Sequence, residues 1–197
     1  MPTVVVPFRG TEGKSRLARL PLEARAALAE AMLADVLAAC DALGPVYVVT
    51  PAAPNVAATI VADHGTGQAA AVRAGLDAAV AAGAPAPYLV VNADLPCVTA
   101  RDFLALAGSI PHGGLALVAA TDGTTNALGL AAAELFAPLY GPGSASRFAA
   151  LAPARTLDAP NLIDDVDTVE DLERLRARVG PHTRKVLASL QLGAAAA

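Results

Sequence analysis

The amino-acid sequence predicts an α/β fold in which helices cover a mostly parallel sheet. Two observations lead to this prediction. Short runs of β-branched residues alternate along the chain with longer alanine-rich segments of helical periodicity. Hydrophobic residues make up 55% of the 197-residue chain and charged residues only 16%, which suffices for the core of one globular domain. We find no internal repeat or linker, and therefore predict a single domain over residues 1–197.

The predicted strands are short apolar runs bounded by turn-forming or helical segments. Because longer helical patterns separate them, we expect most of them to run parallel. They are Thr3–Pro7, Val46–Thr50, Thr59–Val61, Tyr88–Val91 and Leu115–Ala119.

Three helices are predicted between these strands. Pro21 suits the first turn of a helix whose apolar residues recur at helical spacing until Gly44–Pro45 ends it. A second helix spans about Gln68 to Ala82. A third spans about Thr99 to Gly108, with Thr99 as its N-cap.

The regular alternation ends after Thr121. Gly, Pro, Thr, Asn and Ser cluster in DGTTN and YGPGS, so we predict an irregular segment here, followed by an extended acidic stretch from Asp158 to Thr168. Thr168 then begins a helix, with Asp171 in the capping-box position. Irregular segments often build binding sites.

The bulk composition points to a small-molecule partner. A net charge of −4 and a pI near 5.3 exclude the basic field that nucleic acid or an anionic membrane requires. Charged residues or prolines interrupt the apolar runs short of the ~20 residues that span a bilayer. The two cysteines form neither a metal-ligand pair nor a disulfide framework, and no secretion signal is evident, so we expect a cytoplasmic protein. Whether it acts as a monomer or a homodimer stays open.

A basic glycine-containing loop follows the first predicted strand. In FRGTEGKSRL at 8–17, Gly10 and Gly13 allow close approach of backbone amides to a ligand, and Lys14 and Arg16 supply positive charge. The spacing is not that of a P-loop. The residues leave open a phosphate-binding loop or a solvated surface turn.

An acidic residue follows the strand YLVV. Ligands of open α/β sheets bind beyond the carboxyl ends of the strands, which is where Asp94 of NADLP is placed. Its carboxylate suits a hard cation such as Mg²⁺. The alternative is that Asp94 caps a turn or the next helix.

A second acidic motif, DDVD at 164–167, precedes the last predicted helix. If this segment is extended, Asp165 and Asp167 point to the same side and repel each other unless a cation lies between them. The alternative is an acidic cluster that interacts with the positive end of the helix dipole. We expect Asp158 and Asp164 to have only this solvated role.

Together, a basic loop and acidic groups at strand ends are the minimum for metal-assisted phosphoryl or nucleotidyl transfer. No hydrolase triad competes, because His64, His112 and His182 lie beside no evident nucleophile and are expected at the surface.

In these motifs the chain resembles the guanylyltransferases that activate 2-phospholactate or phosphoenolpyruvate in the biosynthesis of coenzyme F-420. The likeness extends over nearly the whole chain, and its segments are VPFRGTEGKSRLA at 5–18, AMLADVL at 31–37, ADLP at 93–96, GTTN at 123–126, YGPGS at 140–144 and DVDTVEDL at 165–172. The resemblance implies a Rossmann-like sheet of the nucleotide-diphosphosugar-transferase type. It also implies GTP as donor and release of pyrophosphate, with Mg²⁺ held by Asp94, Asp165 and Asp167.

The resemblance further implies roles for individual residues. Lys14, Arg16 and Asp94 would be catalytic, and Pro7, Gly13, Lys14, Gln68 and Asp94 would bind the nucleotide. The acceptor would contact Thr124, Thr125, Asn126, Gly141 and Ser144. The segment VGPHTRKVL at 179–187 is similar to the ending of the actinobacterial branch, in which phosphoenolpyruvate is the usual acceptor.

The chain departs from the family pattern at two positions. Gln68 stands where relatives often have Asn, and Phe148 replaces a frequent His. These changes bear on the contact with the base and on the shape of the acceptor pocket, respectively.

Two alternatives remain. One is a nucleotidyltransferase for another acceptor, such as a molybdopterin, a sugar phosphate or a phosphoglycerate. The first loop lacks the Gly-Gly-rich form common in those relatives. The other is a catalytically silent nucleotide-binding module, against which stands the retention of three carboxylates together with Lys14.

Overall fold

The protein contains one seven-stranded sheet flanked by helices. The structure, a computed structural model, describes residues 1–10, 17, 19–52, 54 and 56–190. The strands are β1 (Thr3–Pro7), β2 (Val46–Thr50), β3 (Thr59–Ala62), β4 (Tyr88–Val91), β5 (Leu115–Ala119), β6 (Thr125–Leu130) and β7 (Ala154–Thr156). The helices are α1 (Leu22–Cys40), α2 (Gln68–Ala81), α3 (Ala100–Gly108), α4 (Ser144–Ala149), α5 (Pro160–Ile163), α6 (Val169–Leu175) and α7 (Pro181–Ser189), with a short 3-10 helix at Ala133–Leu135.

The sheet has the strand order β3-β2-β1-β4-β6-β5-β7. Strands β1 to β4 pair in parallel, as do β5 and β7, whereas β6 is antiparallel to both β4 and β5. All five predicted strands and the three helices between them are present. The predicted α/β fold with a mostly parallel sheet is confirmed.

Two local predictions are wrong. Strand β6 lies in the segment predicted to be irregular, and α5 lies in the stretch predicted to be extended. The sequence of β6, TNALGL, has few β-branched residues because the strand is packed closely. A Cβ atom on Gly129 would lie 2.9 Å from the side chain of Ile110. Helix α5 is a single turn that begins with Pro160, a residue suited to the first helical position.

The core consists of three apolar clusters. Two of them lie on opposite faces of the sheet, because side chains alternate across it. Val4 and Val6 of β1 pack on the face covered by α1 and α3, whereas Val5 packs on the face covered by α2 and α4. A further apolar cluster joins the outer side of α1 to α6 and α7. The sheet is therefore covered on both faces.

Helix α2 lies unusually close to the sheet. A Cβ atom on Gly75 would lie 2.5 Å from Cγ1 of Val5 and 2.7 Å from Cγ2 of Val49, so only glycine permits this approach. Because the connection from β3 leads directly into α2, its first residue, Gln68, lies at the carboxyl edge of the parallel strands.

The sheet also sets the position of the site. From β1 the chain proceeds to β2 and β3 on one side and then returns to β4 on the other, so the loops after β1 and β4 diverge and leave a crevice. Because β6 is antiparallel to β4, its first residues, Thr125 and Asn126, lie at the same edge. The crevice therefore receives side chains from three neighbouring strands.

The C-terminal helix is held by a buried carboxylate. Asp35 of α1 accepts hydrogen bonds from the backbone amides of His182 and Thr183, each at 2.9 Å. A Cβ atom on Gly180 would clash with the Asp35 carboxyl group, so glycine is required there. Both cysteines are free and buried, and the three histidines are exposed, as expected. Within the described part of the chain, no helix combines the length and apolarity needed to cross a membrane.

Candidate functional site

Three carboxylates meet at the crevice. Asp94 lies just beyond β4, while Asp165 and Asp167 lie between α5 and α6, and one oxygen atom from each is within 4.8 Å of the others. A hydrogen bond of 3.0 Å from the amide of Val166 to the carbonyl of Asp94 joins the two segments. The structure thus brings together the three residues that the sequence suggested, although their binding of a metal stays a prediction.

The three carboxylates crowd one another. Partial burial, together with the charges of Asp94 and Asp167, raises the pKa of Asp165 from 3.8 to about 6, even though a hydrogen bond from the Asn126 side chain opposes the shift. Like charges held this close favour a cation between them, and carboxylate oxygens are the ligands that a hard divalent cation prefers. The cluster can hold a metal ion.

The neighbouring Asp164 lies in an environment that stabilises its charged form. It accepts hydrogen bonds from Arg174 at 2.6 Å and from Arg178 at 2.7 Å, and its side chain is only 16% exposed. Desolvation alone would raise the pKa of Asp164, but the hydrogen bonds and charges of the two arginines outweigh it and lower the pKa. The expectation that Asp164 is merely solvated is wrong, because the helical turns after it return both guanidinium groups to its carboxylate.

A capping box fixes the start of α6. The Thr168 hydroxyl accepts a hydrogen bond from the Asp171 amide, and the Asp171 carboxylate accepts one from the Thr168 amide, as predicted. The same carboxylate also accepts a hydrogen bond of 3.2 Å from the amide of Asp167. The helix start therefore positions the backbone of the third clustered carboxylate.

A first pocket, of about 220 Å³, lies beside Asp94. Its lining is about equally polar and apolar, and the amides of Gln68 and Asn92 are its neutral polar side chains. The lining residues are Pro7, Phe8, Arg9, Gly10, Ala29, Met32, Gln68, Asn92, Ala93 and Asp94. This volume is below the range of pockets that enclose a whole drug-sized ligand, so the pocket suits one part of a larger molecule.

Three residues predicted for the adjoining loop, Gly13, Lys14 and Arg16, lie outside the described residues. Arg9 is a basic residue of the same loop that lines the first pocket but was not singled out from the sequence. Nothing in the motif distinguishes it from an ordinary surface arginine.

A second pocket, of about 350 Å³, shares Gln68, Asn92 and Asp94 with the first. Its lining is mainly polar, and its further residues are Asp122, Thr124, Thr125, Asn126, Tyr140, Gly141, Asp165 and Asp167. Asp94 therefore lies where the two pockets meet, and Asp165 and Asp167 line the second pocket beside it.

The structure brings together the residues predicted to bind the acceptor. Thr124, Thr125, Asn126 and Gly141 line the second pocket. Ser144 is fully buried behind it, with its hydroxyl oxygen 2.9 Å from that of Thr125. Ser144 thus contacts the pocket through Thr125.

An aromatic cluster forms the wall behind this pocket. Phe148 is fully buried, and its ring centroid lies 5.3 Å from that of Tyr140 in an edge-on arrangement. Burial raises the pKa of the Tyr140 phenol, which keeps it neutral. Phe148, a departure from the family pattern, supports a lining residue without lining the pocket itself.

An arginine stabilises the loop between Leu139 and Gly143. Arg147 donates to the carbonyl oxygens of Pro142 at 2.6 Å and Leu139 at 2.7 Å. Within this loop Gly141 has a φ angle of 114°, a conformation that favours glycine. The glycines of YGPGS therefore serve the shape of the pocket.

The chain is similar to curated proteins over most of its length. MobA-like NTP transferase domains match residues 18–154. A phosphoenolpyruvate guanylyltransferase from Sphaerobacter thermophilus is 36% identical over 188 residues, which cover 87% of this chain and 90% of that protein. The chain belongs to the family of these guanylyltransferases. A second phosphoenolpyruvate guanylyltransferase, from Nocardia farcinica, is 36% identical over 194 residues and covers 89% and 85% of the two chains.

The family also includes a 2-phospho-L-lactate guanylyltransferase from Methanosphaerula palustris. It is 30% identical over 182 residues, which cover 87% of this chain and 82% of that protein. The family resemblance predicted from the motifs is thereby confirmed.

Solved structures confirm the fold. A Desulfovibrio desulfuricans protein assigned to the nucleotide-diphospho-sugar transferases superposes with a TM-score of 0.72 at 17% identity, covering 97% of this chain and 96% of that one. The 2-C-methyl-D-erythritol 4-phosphate cytidylyltransferase of Thermus thermophilus gives 0.60 at 16% identity, with 90% and 98% covered. A Mycobacterium tuberculosis protein in complex with manganese gives 0.55 at 18% identity, also with 90% and 98% covered.

Proposed function

We propose that this protein is a metal-dependent guanylyltransferase that transfers GMP from GTP to phosphoenolpyruvate and releases pyrophosphate, as in the biosynthesis of coenzyme F-420. The observation that carries the proposal is the meeting of Asp94, Asp165 and Asp167 at the junction of two contiguous pockets. A nucleotidyl transfer needs two substrates to meet at such a centre. The names of the relatives support guanylyl transfer and the acceptor.

Mg²⁺ is the proposed cofactor, and the three carboxylates would hold it. Their oxygen atoms lie within 4.8 Å of one another, and the raised pKa of Asp165 reflects a charge that a cation would balance. The manganese complex of a protein with the same fold supports a divalent ion. When bound, Mg²⁺ supplies positive charge for the reacting phosphates.

The first pocket is proposed to bind the nucleoside of GTP. Its apolar side chains, which include Phe8, Ala29 and Met32, suit a flat base, and Gln68 and Pro7 lie along the same pocket. The adjoining loop, with Gly13, Lys14 and Arg16, is proposed to bind the phosphates through its amides and positive charges. In this arrangement the α-phosphate lies near Asp94, which lines both pockets.

The second pocket is proposed to bind the acceptor. Its small polar lining, with Thr124, Thr125, Asn126 and Gly141, suits a compact molecule that carries both a carboxylate and a phosphate. Phosphoenolpyruvate is preferred to 2-phospho-L-lactate because relatives named for it share 36% identity over 87–94% of the chain, whereas those named for the lactate share 30% over 87% of the chain or 37% over only 62%.

In the proposed reaction, an oxygen of the acceptor's phosphate forms a bond to the α-phosphorus of GTP. The bond between that phosphorus and the oxygen bridging to the β-phosphate breaks, and pyrophosphate leaves with the electron pair. No general base is required, because the acceptor's phosphate is already ionised at neutral pH. Lys14 is proposed to stabilise the charge on the phosphates during the transfer.

The test is pyrophosphate release measured across a matrix of substrates. The purified protein is assayed with Mg²⁺ and each of four nucleoside triphosphates, in combination with phosphoenolpyruvate, 2-phospho-L-lactate, 3-phosphoglycerate or a hexose 1-phosphate. We expect turnover with GTP and phosphoenolpyruvate, weaker turnover with the lactate, and none with the sugar phosphate. Two results would refute the proposal. One is robust turnover of the hexose 1-phosphate, and the other is the absence of turnover when GTP is combined with phosphoenolpyruvate or with 2-phospho-L-lactate.

A further inference from the structure

Three side-chain amides form a continuous line of hydrogen bonds across the site. The Gln68 amide nitrogen donates to Oδ1 of Asn92 at 2.8 Å, and the Asn92 amide nitrogen donates to Oδ1 of Asn126 at 3.2 Å. The Asn126 amide nitrogen donates to the backbone carbonyl of Ile163 at 3.0 Å and also hydrogen-bonds the carboxylate of Asp165. We name this line, from Gln68 through Asn92 to Asn126, the amide relay.

The antiparallel strand pairing makes the relay possible. Val91 of β4 lies opposite Ala127 of β6, and the amide of Asn92 donates to the carbonyl of Asn126 at 3.0 Å. The two asparagines are therefore directly opposed across the strands, which brings their side chains into contact. The close packing of α2 against the sheet adds Gln68 at the other end.

The direction of every amide in the relay is fixed from one end. A backbone carbonyl can only accept hydrogen bonds, so Asn126 must turn its nitrogen toward Ile163. Its oxygen then faces Asn92, which must donate to it and accept from Gln68. The oxygen of the Gln68 amide and its second N–H are left for other partners, and the order of these two groups is fixed by the bond to Asn92.

The Gln68 end of the relay lies between the two pockets. Gln68 and Asn92 line both of them, and in the pocket assigned to the nucleoside their neighbours include Phe8, Ala29 and Met32. A carbonyl oxygen offered there accepts a hydrogen bond from a base edge that carries N–H groups. Guanine presents N1–H beside the acceptor O6, whereas adenine presents the reverse order, an acceptor at N1 beside the 6-amino group, so an amide held in one orientation can pair with only one of the two edges.

We propose that Asn92 is a positioning residue which, held by Asn126, fixes the Gln68 amide with its oxygen toward the nucleoside pocket and so selects guanine over adenine. This inference rests on the proposed function in that the first pocket is taken as the donor-nucleotide site. It adds to that function the device by which the base is chosen. It also ties base selection to the segment that carries Asp165, because both are joined through Asn126.

The test compares affinities for GTP and ATP, measured by calorimetry with Mg²⁺, in a small set of variants. Asn92→Ala removes the acceptor that orients Gln68, and we expect the preference for GTP over ATP to fall about tenfold, the scale of one hydrogen bond. Asn92→Asp loses the hydrogen bond to Asn126, but both of its oxygens accept hydrogen bonds, so it can still orient the Gln68 amide and should keep the preference within about twofold. Its added charge affects both nucleotides alike and cancels in the ratio.

The control is Asn161→Ala, because Asn161 is also a half-buried asparagine with two side-chain partners, Asp102 and Arg178, but lies outside the relay. Its preference for GTP should equal that of the unmodified protein. In a Gln68→Ala background, Asn92→Ala should cause no further loss of preference, since Asn92 is proposed to act through Gln68.

Several results would overturn the inference. They are an unchanged preference in Asn92→Ala, an equal loss in Asn92→Ala and Asn92→Asp, additive losses in the double variant, or an unmodified protein that binds ATP as tightly as GTP. A protein that prefers GTP through the relay but fails to turn over any phosphorylated acid would refute the proposed reaction and leave the inference standing.

Discussion

Replacing Asp165 with Asn should stabilise the metal-free protein while it removes activity. At neutral pH the Asp165 carboxylate is ionised beside Asp94 and Asp167, and the raised pKa measures the cost of that charge in the folded state. Asn keeps the shape of the side chain and an oxygen that can accept from Asn126, but it carries no charge. The variant therefore removes the repulsion and one proposed metal ligand together.

The expected gain in the free energy of unfolding follows from the shift in the pKa of Asp165. A pKa raised from 3.8 to about 6 corresponds to about 3 kcal/mol as an upper limit. Asp165 is only partly buried, so solvent screening reduces the expected gain at pH 7.5 to about 1–2 kcal/mol. For a chain of this length this is a rise in Tm of about 2–8 °C.

The direction of the Asp165 pKa shift determines how the stability effect depends on pH. Because the folded-state pKa is raised, the contribution of Asp165 to stability is full below the unfolded pKa of 3.8 and is lost as the pH rises through about 6. The stabilising effect of Asp165→Asn should therefore be largest above pH 6 and should disappear toward pH 4. Thermal and urea unfolding of the metal-free proteins at both pH values measures it.

Asp164→Asn is the matched control. This adjacent carboxylate has a lowered pKa and hydrogen bonds to Arg174 and Arg178, so its loss should destabilise the protein at pH 7.5 by about 1 kcal/mol, allowing for the exposure of the arginines. Mg²⁺ should raise the Tm of the unmodified protein and of Asp164→Asn, but far less that of Asp165→Asn. A destabilised Asp165→Asn at pH 7.5, or an undiminished response to Mg²⁺, would refute the reasoning.

Three further predictions concern the reaction. Asp94→Asn and Asp167→Asn should each abolish pyrophosphate release with the circular-dichroism spectrum unchanged, and near-normal turnover at low Mg²⁺ would exclude that residue as a ligand. Lys14→Ala should lower kcat/KM by about 3 kcal/mol of transition-state stabilisation, the scale of one electrostatic stabiliser, and an effect on the acceptor KM alone would place Lys14 elsewhere. Ser144→Ala removes the contact with Thr125, so it should raise the KM for phosphoenolpyruvate several-fold. The affinity for GTP, measured by calorimetry, should stay within about twofold. Equal losses of both would contradict the separation of the two pockets.

The sequence by itself determined the framework of the protein. Short β-branched strands and alanine-rich helices depend on local sequence, so five strands, the three helices between them and the Thr168 capping box could be predicted with only small differences at their ends. The acidic residues after β4 and before α6 were also evident, because a strand end and a helix start have local signals. Order along the chain was enough to recognise the family.

Only the tertiary structure decided which distant groups meet. Strand β6 was missed because the small residues that let Gly129 pass Ile110 look, in sequence, like a loop. Asp164 gained two arginine partners because helical turns bring residues 10 and 14 positions away back to it.

The amide relay also depends on the tertiary structure. Asn92 and Asn126 are 34 residues apart, and nothing in either motif indicates the other. Their contact arises because β6 inserts antiparallel beside β4, and the direction of each amide follows from a backbone carbonyl that the fold places at the end of the line. Local propensity determines which elements form, whereas long-range pairing and packing determine which side chains can act together.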